Sequence, residues 1–436
     1  MDLYEVFKQC GAVTTDSRAI RGGELFFGLK GENFDGSDYA LKALEAGAAY
    51  AVVSADSEAA KSGDLRVIPV PDTLKALQDL AREHRERTLV DGKRLTVIGL
   101  TGTNGKTTTK NLITKVLSAR YRVTATEGNL NNDIGVPLSL LKINSTTQLA
   151  VIEMGASHPD DIGRLCVVCE PDYGLITNVG KAHLLGFGSL DGVKKAKGQL
   201  YDYIHTHDGS IFLNTDDPVL TEMAEAREGI KRIEYGIARE GVEILPASGE
   251  HPFLRMRFPT LLESRLVGAY NATNVMAAVA VGRHFGVRLE DAIRAIGEYI
   301  PDNNRSQMKR TARNILIEDA YNANPTSMAA ALDNFSLVEA ARKVALLGDM
   351  RELGPDSLRE HMDILRKAES LSLDLICLVG EEFGKAVANL GRRTNIQLFN
   401  TSADLADWLR EHPVSGATIL VKGSRGIQME KVLPEL

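Results

Sequence analysis

The sequence predicts an α/β protein of three domains. Its 436 residues exceed what one ordinary domain of about 100–200 residues holds. Two separate sets of short apolar runs, each run followed by a turn and a helical period, repeat the signature of parallel strand–helix units. With 44% hydrophobic and 25% charged residues, the chain has apolar material for several cores and no bias towards disorder. A net charge of -7 gives no general attraction to nucleic acid or anionic lipid, so no nucleic-acid partner is expected and an anionic ligand needs a local site.

The opening MDLYEVFKQCGAV carries acidic residues and no long apolar segment, unlike a secretory signal or an anchor. No run approaches the ~18 apolar residues of a membrane span, so a cytoplasmic location is expected. Residues 1–87 mix strand-like runs at 24–29, 49–53 and 67–70 with a helical run ending in AREHRER. The polar VDGKR that follows reads as a linker. The second unit, 94–301, holds the runs LTVIGL, LAVIEM, YGLITNV and SIFLN. The third, 302–436, holds NILIEDAYN, KVALLGD, DLICLVG and TILVKGS, with a helix expected around 329–341. Turn-prone Pro301, Asp302, Asn303 and Asn304 mark a hinge between them.

The strongest local signal is TGTNGKTT, residues 101–108, directly after an apolar strand and before Leu112, Ile113, Val116 and Leu117 at helical spacing. A Gly-rich strand-to-helix turn presents free N–H groups to an anion. The spacing departs from the usual G-x-x-x-x-G-K-[ST], because Leu100 stands at the first glycine position. Gly102, Thr103, Asn104, Gly105 and Thr108 would form the cradle, Lys106 would meet the β- and γ-phosphates of ATP, and Thr107 would hold Mg²⁺. Glu153 follows LAVI and so emerges at the carboxyl edge of a buried strand, where α/β sheets bind ligands. His183 lies just past another strand and could reach the same edge. Lys197 falls on a helix with Lys194 and Lys195, which by itself reads as a solvated face. In the third unit, Arg305 could cover a γ-phosphate when domains close, and Asp319 and Tyr321 suit a nucleoside. Cys166 and Cys169 form a C-V-V-C pair with no matching second pair, and read as buried spectators.

These motifs resemble the Mur ligases of peptidoglycan synthesis over nearly the whole chain. The resemblance rests on TTDSRAIRGGELFFGLKGENFDG at 14–36, TGTNGKTT, GNLNNDIGVPLSLL, EMGA, NVGKAHLLGFGS, NNRSQ, DAYNANPTSM, LGDMRELG and VKGSRG, in that order. Within the family the set is similar to the member that adds D-alanyl-D-alanine to a UDP-N-acetylmuramoyl-tripeptide. The first two muramoyl ligases would begin with a dinucleotide-type Gly-rich turn, and the diaminopimelate- or lysine-adding member would carry Asp-Asn-Pro; neither is present. The resemblance implies a small α/β uridine-nucleotide-binding domain, a central P-loop-type, mostly parallel ATPase domain and a C-terminal Rossmann-like domain, acting as a monomer. It also implies an acyl-phosphate route with release of ADP and phosphate.

Carried over residue by residue, the resemblance makes Glu153 and His183 ligands of Mg²⁺ and Lys197 a candidate carbamate binding a second metal. Asn271 and Asn274 would contact adenine, Arg305 phosphate, and Asp319 and Tyr321 the ribose and base. Asn129, Asn131 and Asn132 would lie along the muramoyl-peptide channel, and Asp16, Ser17 and Arg18 near the uridine diphosphate. Two positions depart from the pattern, Tyr270 where many members have His and Gln199 where many have Glu. A different Mur-type or a folylpolyglutamate-type ligase is the rival within the class, though residues 1–87 have no expected place in the latter. A nucleotide-driven switch or transport ATPase is the rival outside it, and a guanine-reading N-K-x-D motif is absent.

Overall fold

The computed structural model describes residues 2–248, 251–301, 305–391 and 394–436; Asp302, Asn303 and Asn304 of the expected hinge lie outside them. Three main sheets follow one another along the chain. The first is parallel, in the order Val13–Thr14, Leu25–Phe27, Tyr50–Ser54, Val67–Val70. The second has six parallel strands: Lys231–Tyr235, Ser210–Asn214, Tyr173–Ile176, Thr96–Thr101, Leu149–Glu153 and Val123–Ala125. In the third, Gln307–Arg310 runs antiparallel to Ile315–Asp319, which leads into the parallel strands Thr418–Lys422, Lys343–Gly348, Leu375–Val379 and Ile396–Phe399. Strands buried on both faces read as unbroken apolar runs, which is why LTVIGL and LAVIEM were legible as strands.

In the second sheet the chain steps outward from Thr96–Thr101 to Val123–Ala125, returns to Leu149–Glu153, and then crosses to Tyr173–Ile176 on the other side. That reversal opens a crevice at the carboxyl ends of the central strands. Leu100 pairs with Glu153 and Thr101 with Ile176, so the glycine-rich turn, the carboxylate and the segment leading to His183 all leave the sheet at this crevice.

Two expectations are corrected. VDGKR is not an open linker: Leu89–Val90 pairs antiparallel with Lys93–Arg94. The turn between them is Asp91-Gly92 with φ of 51° and 76°, and such Asp-Gly turns match the twist of a two-residue hairpin. The helix expected at 329–341 is Pro325–Ser336. Asn324 caps it, accepting from Ser327 N while Ser327 returns a bond to the cap, and the proline sits at the first turn, where its missing N–H costs nothing.

The units are packed against one another. Tyr4, Phe27, Leu77 and Leu80 share one apolar cluster with Leu95, Leu140 and Ile143. Burying a leucine fully stabilises by roughly 1.5–3 kcal/mol, so a shared cluster of this size holds the first sheet firmly on the second. Arg85, at the end of helix Thr73–Arg87, is fully buried and adds a polar anchor: it donates to Asp172 Oδ2 at 2.8 Å, Glu170 O at 2.8 Å and Cys169 O at 3.3 Å. On the other side, Leu184, Phe187, Val193 and Val267 join Ile317, Met328, Leu332 and Phe335 in a single cluster. Cys166 and Cys169 are buried against Met154, and burial pushes the Cys169 thiol up to about 12, as suits spectators. Among the described residues no helix is long and apolar enough to cross a membrane.

Candidate active site

The crevice opens into a cleft of about 960 Å³ walled by the second and third units. Strand Thr96–Thr101 enters it and helix Lys106–Ser118 leaves it, with Gly105 at the helix N-cap in the left-handed region, φ 79°. The cradle is built from both units. Thr103 N donates to Asn178 O at 3.0 Å, and the carboxamide of Asn104 meets that of Asn324 from the third unit, Asn324 Nδ2 donating to Asn104 Oδ1 at 2.8 Å. Lys106 Nζ folds back on the loop and donates to Gly102 O at 2.8 Å and Thr103 O at 3.1 Å. Burial lowers the Lys106 pKa, with Glu153 opposing and Arg305 adding to the shift.

Under the loop, Asn274 Oδ1 accepts from Thr109 Oγ1 at 3.0 Å, its Nδ2 donates to Asn271 Oδ1 at 2.9 Å, and Asn271 Nδ2 donates to Val267 O at 2.8 Å. Both asparagines line the cleft, but here Asn274 is packed against Gly105 and Thr109, and Asn271 holds Asn274 in place. A β-carbon on Gly105 would stand 2.6 Å from Asn274 Oδ1. Since an L-residue in the left-handed region costs roughly 1–2 kcal/mol, Gly105→Ala should displace the loop. Nucleotide KM is expected to rise about tenfold, read by steady-state phosphate release. An unchanged nucleotide KM would detach the loop from nucleotide binding.

Glu153 is 1% exposed, and its two oxygens are unlike. Oε1 accepts from Asn131 Nδ2 at 2.9 Å and Thr107 Oγ1 at 3.2 Å; Oε2 has no hydrogen-bond partner, with Lys110 Nζ 3.9 Å away. A buried carboxylate oxygen without a donor is costly, and a hard cation beside a hydroxyl and a carboxylate fits that position. Mg²⁺ is therefore compatible with Thr107 and Glu153. Asn131, expected along the substrate channel, is engaged here with Glu153; Asn132 Oδ1 accepts from Gly135 N at 2.8 Å, while Asn129 and Asn132 still face the cleft. Lys110 was missed by sequence reasoning although it lies one turn from Lys106 on the same helix face; burial lowers its pKa.

His183 lines the cleft in a left-handed conformation, φ 50°, and its Nδ1 contacts the Glu352 carboxylate of the third unit. Leu185 N donates to Glu352 O at 3.1 Å and Lys181 pairs with Glu360 at 2.7 Å, so NVGKAHLLGF and LGDMRELG meet face to face. Lys197 is 3% exposed, not on a solvated face. Burial lowers its pKa well below the usual amine value and Lys106 adds to the shift; no hydrogen bond or ion pair engages it among the described residues. It is not a lining residue of the cleft. Its neighbour Gln199 faces elsewhere, accepting from Gly163 N at 2.9 Å and donating to Asp160 Oδ1 at 2.7 Å, so it does not brace the lysine.

Opposite, the Arg305 guanidinium stacks 3.8 Å above the Tyr321 ring, and Arg425 Nη1 donates to Tyr321 OH at 2.9 Å. Asp319 pairs with the buried Lys422 and accepts from Ser306 N at 3.3 Å. Tyr270 OH meets Ser306 Oγ at 2.9 Å and closes that wall. Asp16, Ser17 and Arg18 do not line the cleft: they form a turn beside the first sheet, where Arg18 doubly engages Asp16 at 2.9 Å.

Residues 10–85 match the model of the Mur ligase family, catalytic domain; 100–282 that of the Mur ligase middle domain; and 304–425 that of the Mur ligase, glutamate ligase domain. The UDP-N-acetylmuramoyl-tripeptide--D-alanyl-D-alanine ligase of Bacillus subtilis (strain 168) is 34% identical over 97% of this chain and 92% of its own length. The chain belongs to the Mur ligase family. Among solved Mur ligases, MurF from Acinetobacter baumannii superposes with a TM-score of 0.86 at 30% identity, covering 100% of this chain and 97% of that one. The MurF ligase from Thermotoga maritima in complex with ADP gives 0.83 at 25% identity, covering 100% and 98%. All three sheets of this Mur ligase thus have counterparts in those structures, the first included.

Proposed function

We infer that the protein uses ATP to join D-alanyl-D-alanine to the terminal carboxylate of UDP-N-acetylmuramoyl-tripeptide, releasing ADP and phosphate. One observation carries the geometry of this reading: the phosphate-type loop of the second unit and Arg305 of the third face a single cleft. A carboxylate at neutral pH is a poor electrophile and repels electrons, so it must be activated. Transfer of the γ-phosphoryl group to a carboxylate oxygen gives an acyl phosphate and frees ADP. The acceptor's amine then attacks the acyl carbon; its proton is lost as the C–N bond forms, and phosphate leaves with the C–O bonding electrons.

Lys106 swings from the loop carbonyls to the β- and γ-phosphates, and Arg305 covers the γ-phosphate from the facing domain. Mg²⁺ supplies charge neutralisation when bound, held by Thr107 and Glu153 and, on the Lys197 side, by His183 and a carbamate. Asn271 and Asn274 support the adenine side, and Asp319 and Tyr321 the ribose and base. Asn129, Asn131 and Asn132 border the muramoyl-peptide path, while Asp16, Ser17 and Arg18 receive the uridine diphosphate. The domains 1–87, 94–301 and 302–436 divide these tasks. The contacts Asn104–Asn324, Lys181–Glu360 and His183–Glu352 join second to third and help to exclude water from the acyl phosphate. The same reading includes a cytoplasmic, monomeric enzyme without nucleic-acid partners.

Phosphate release should require both UDP-muramoyl-tripeptide and D-alanyl-D-alanine, and should be negligible with folate plus glutamate. Robust turnover of the folate pair, or release that ignores the dipeptide, would overturn this assignment.

A further inference from the structure

Six lysine and arginine side chains line the cleft: Lys106, Arg164, Arg305, Arg351, Lys422 and Arg425. Four are satisfied by oxygen. Lys106 is on loop carbonyls, Arg164 on Asp161 at 2.6 Å, Lys422 on Asp319 and Arg425 on Tyr321 OH. Arg305 is stacked on a ring. Arg351 alone has no hydrogen bond, ion pair or ring contact among the described residues.

Its surroundings are nonetheless ordered. Asp349 accepts from Glu382 N and Phe383 N at 2.9 Å each, and Met350 N donates to the fully buried His361 Nε2 at 3.0 Å. On the other side Glu352, with φ +65°, is turned onto His183. The Arg351 guanidinium lies along Gly426: a β-carbon there would stand 2.8 Å from its Nε and Cζ. A backbone clamped on both flanks and a glycine that makes room place a guanidinium without a partner among the described residues at the cleft, next in sequence to the Glu352 that contacts His183.

The inference rests on the ligase reading above. Besides the carboxylate that reacts, that reaction brings nucleotide phosphates, which share the cleft with Lys106 and Arg305, the remaining carboxylate of the tripeptide's glutamyl residue, and the terminal carboxylate of the acceptor dipeptide, which stays ionised while its amine attacks. We propose that Arg351 binds this terminal carboxylate and thereby selects acceptors that carry one. A guanidinium fork matches a carboxylate with two parallel hydrogen bonds. Gripping the far end of so short an acceptor also restricts where its amine can stand relative to the acyl carbon.

The test compares D-alanyl-D-alanine with D-alanyl-D-alaninamide, in which the carboxylate is replaced by a neutral group. Wild-type turnover with D-alanyl-D-alanine is measured first; its absence would defeat the ligase reading and not this one. Given turnover, the wild type should use the amide with kcat/KM roughly 10- to 100-fold lower, the scale of a charge-assisted hydrogen bond. Arg351→Ala should lose a similar factor on the dipeptide and treat acid and amide alike, with the KM for ATP and for the UDP-tripeptide unchanged. Arg351→Lys, which keeps the charge and loses the fork, should fall between. Equal use of acid and amide by the wild type overturns the proposal without any variant. So does an Arg351→Ala enzyme that still discriminates, or one whose KM rises for nucleotide or UDP-tripeptide instead.

Discussion

Lys106→Ala is expected to lower kcat by roughly 10²-fold or more, the loss seen when a preorganised charge-stabilising group is removed. Its ammonium is held on Gly102 O and Thr103 O at the foot of the loop, a short swing from any phosphate the loop cradles. Glu153 works against burial to keep it protonated, while Arg305 adds positive charge from the facing domain. Arg305, stacked on Tyr321 across the cleft, does not replace a cation on the loop, and the effect belongs in the transition state because the charge that develops there is spread over the phosphoryl oxygens. KM for ATP should change less than kcat. Turnover within threefold of wild type, with ADP affinity intact by calorimetry, would remove Lys106 from the phosphate site.

Lys197→Ala is expected to cost at least the ~10–100-fold that loss of an orienting partner costs a metal site. The lysine is buried without an anionic partner, and its amine is pushed towards the neutral form. An ammonium there would be uncompensated and would repel a cation. A neutral amine instead can attack carbon dioxide: its lone pair forms the C–N bond, one proton goes to solvent, and the product carries a carboxylate able to bind Mg²⁺. Millimolar acetate or formate should partly restore Lys197→Ala by occupying the vacated space. A separate readout is the carbonyl carbon of the enzyme equilibrated with ¹³C-bicarbonate, where a carbamate resonance present in wild type should vanish in the variant. Full activity of Lys197→Ala would return the residue to a packing role. A large loss with no rescue and no resonance would leave it important but not carbamylated.

Much of the site was legible because its signals are local. TGTNGKTT between an apolar strand and a helical period determines a loop with its N–H groups free, whatever surrounds it. Glu153 at the end of LAVI determines a carboxylate at a strand's carboxyl edge. Even Lys197 carried an unread signal: Val193, Lys197 and Tyr201 recur every fourth residue with Ala196, Leu200 and Ile204, so the lysine lies in the apolar stripe while Lys194 and Lys195 lie outside it. What failed locally failed for local reasons, as when the two φ-positive residues Asp91-Gly92 turned an apparent linker into a hairpin.

Other features depend on residues distant in sequence. Asn104 and Asn324 are 220 positions apart, Arg85 and Asp172 87, and Thr109 and Asn274 165, and no periodicity relates them. The Glu153 oxygen without a hydrogen-bond partner, the contact between His183 and Glu352, and the Arg351 guanidinium without a partner among the described residues all follow from how distant segments pack. The sequence by itself determined which strands form, where the phosphate loop lies and which chemical groups are present. Only the tertiary structure decided which of those groups are already engaged and with what, because pairing across the cleft follows from how the sheets pack.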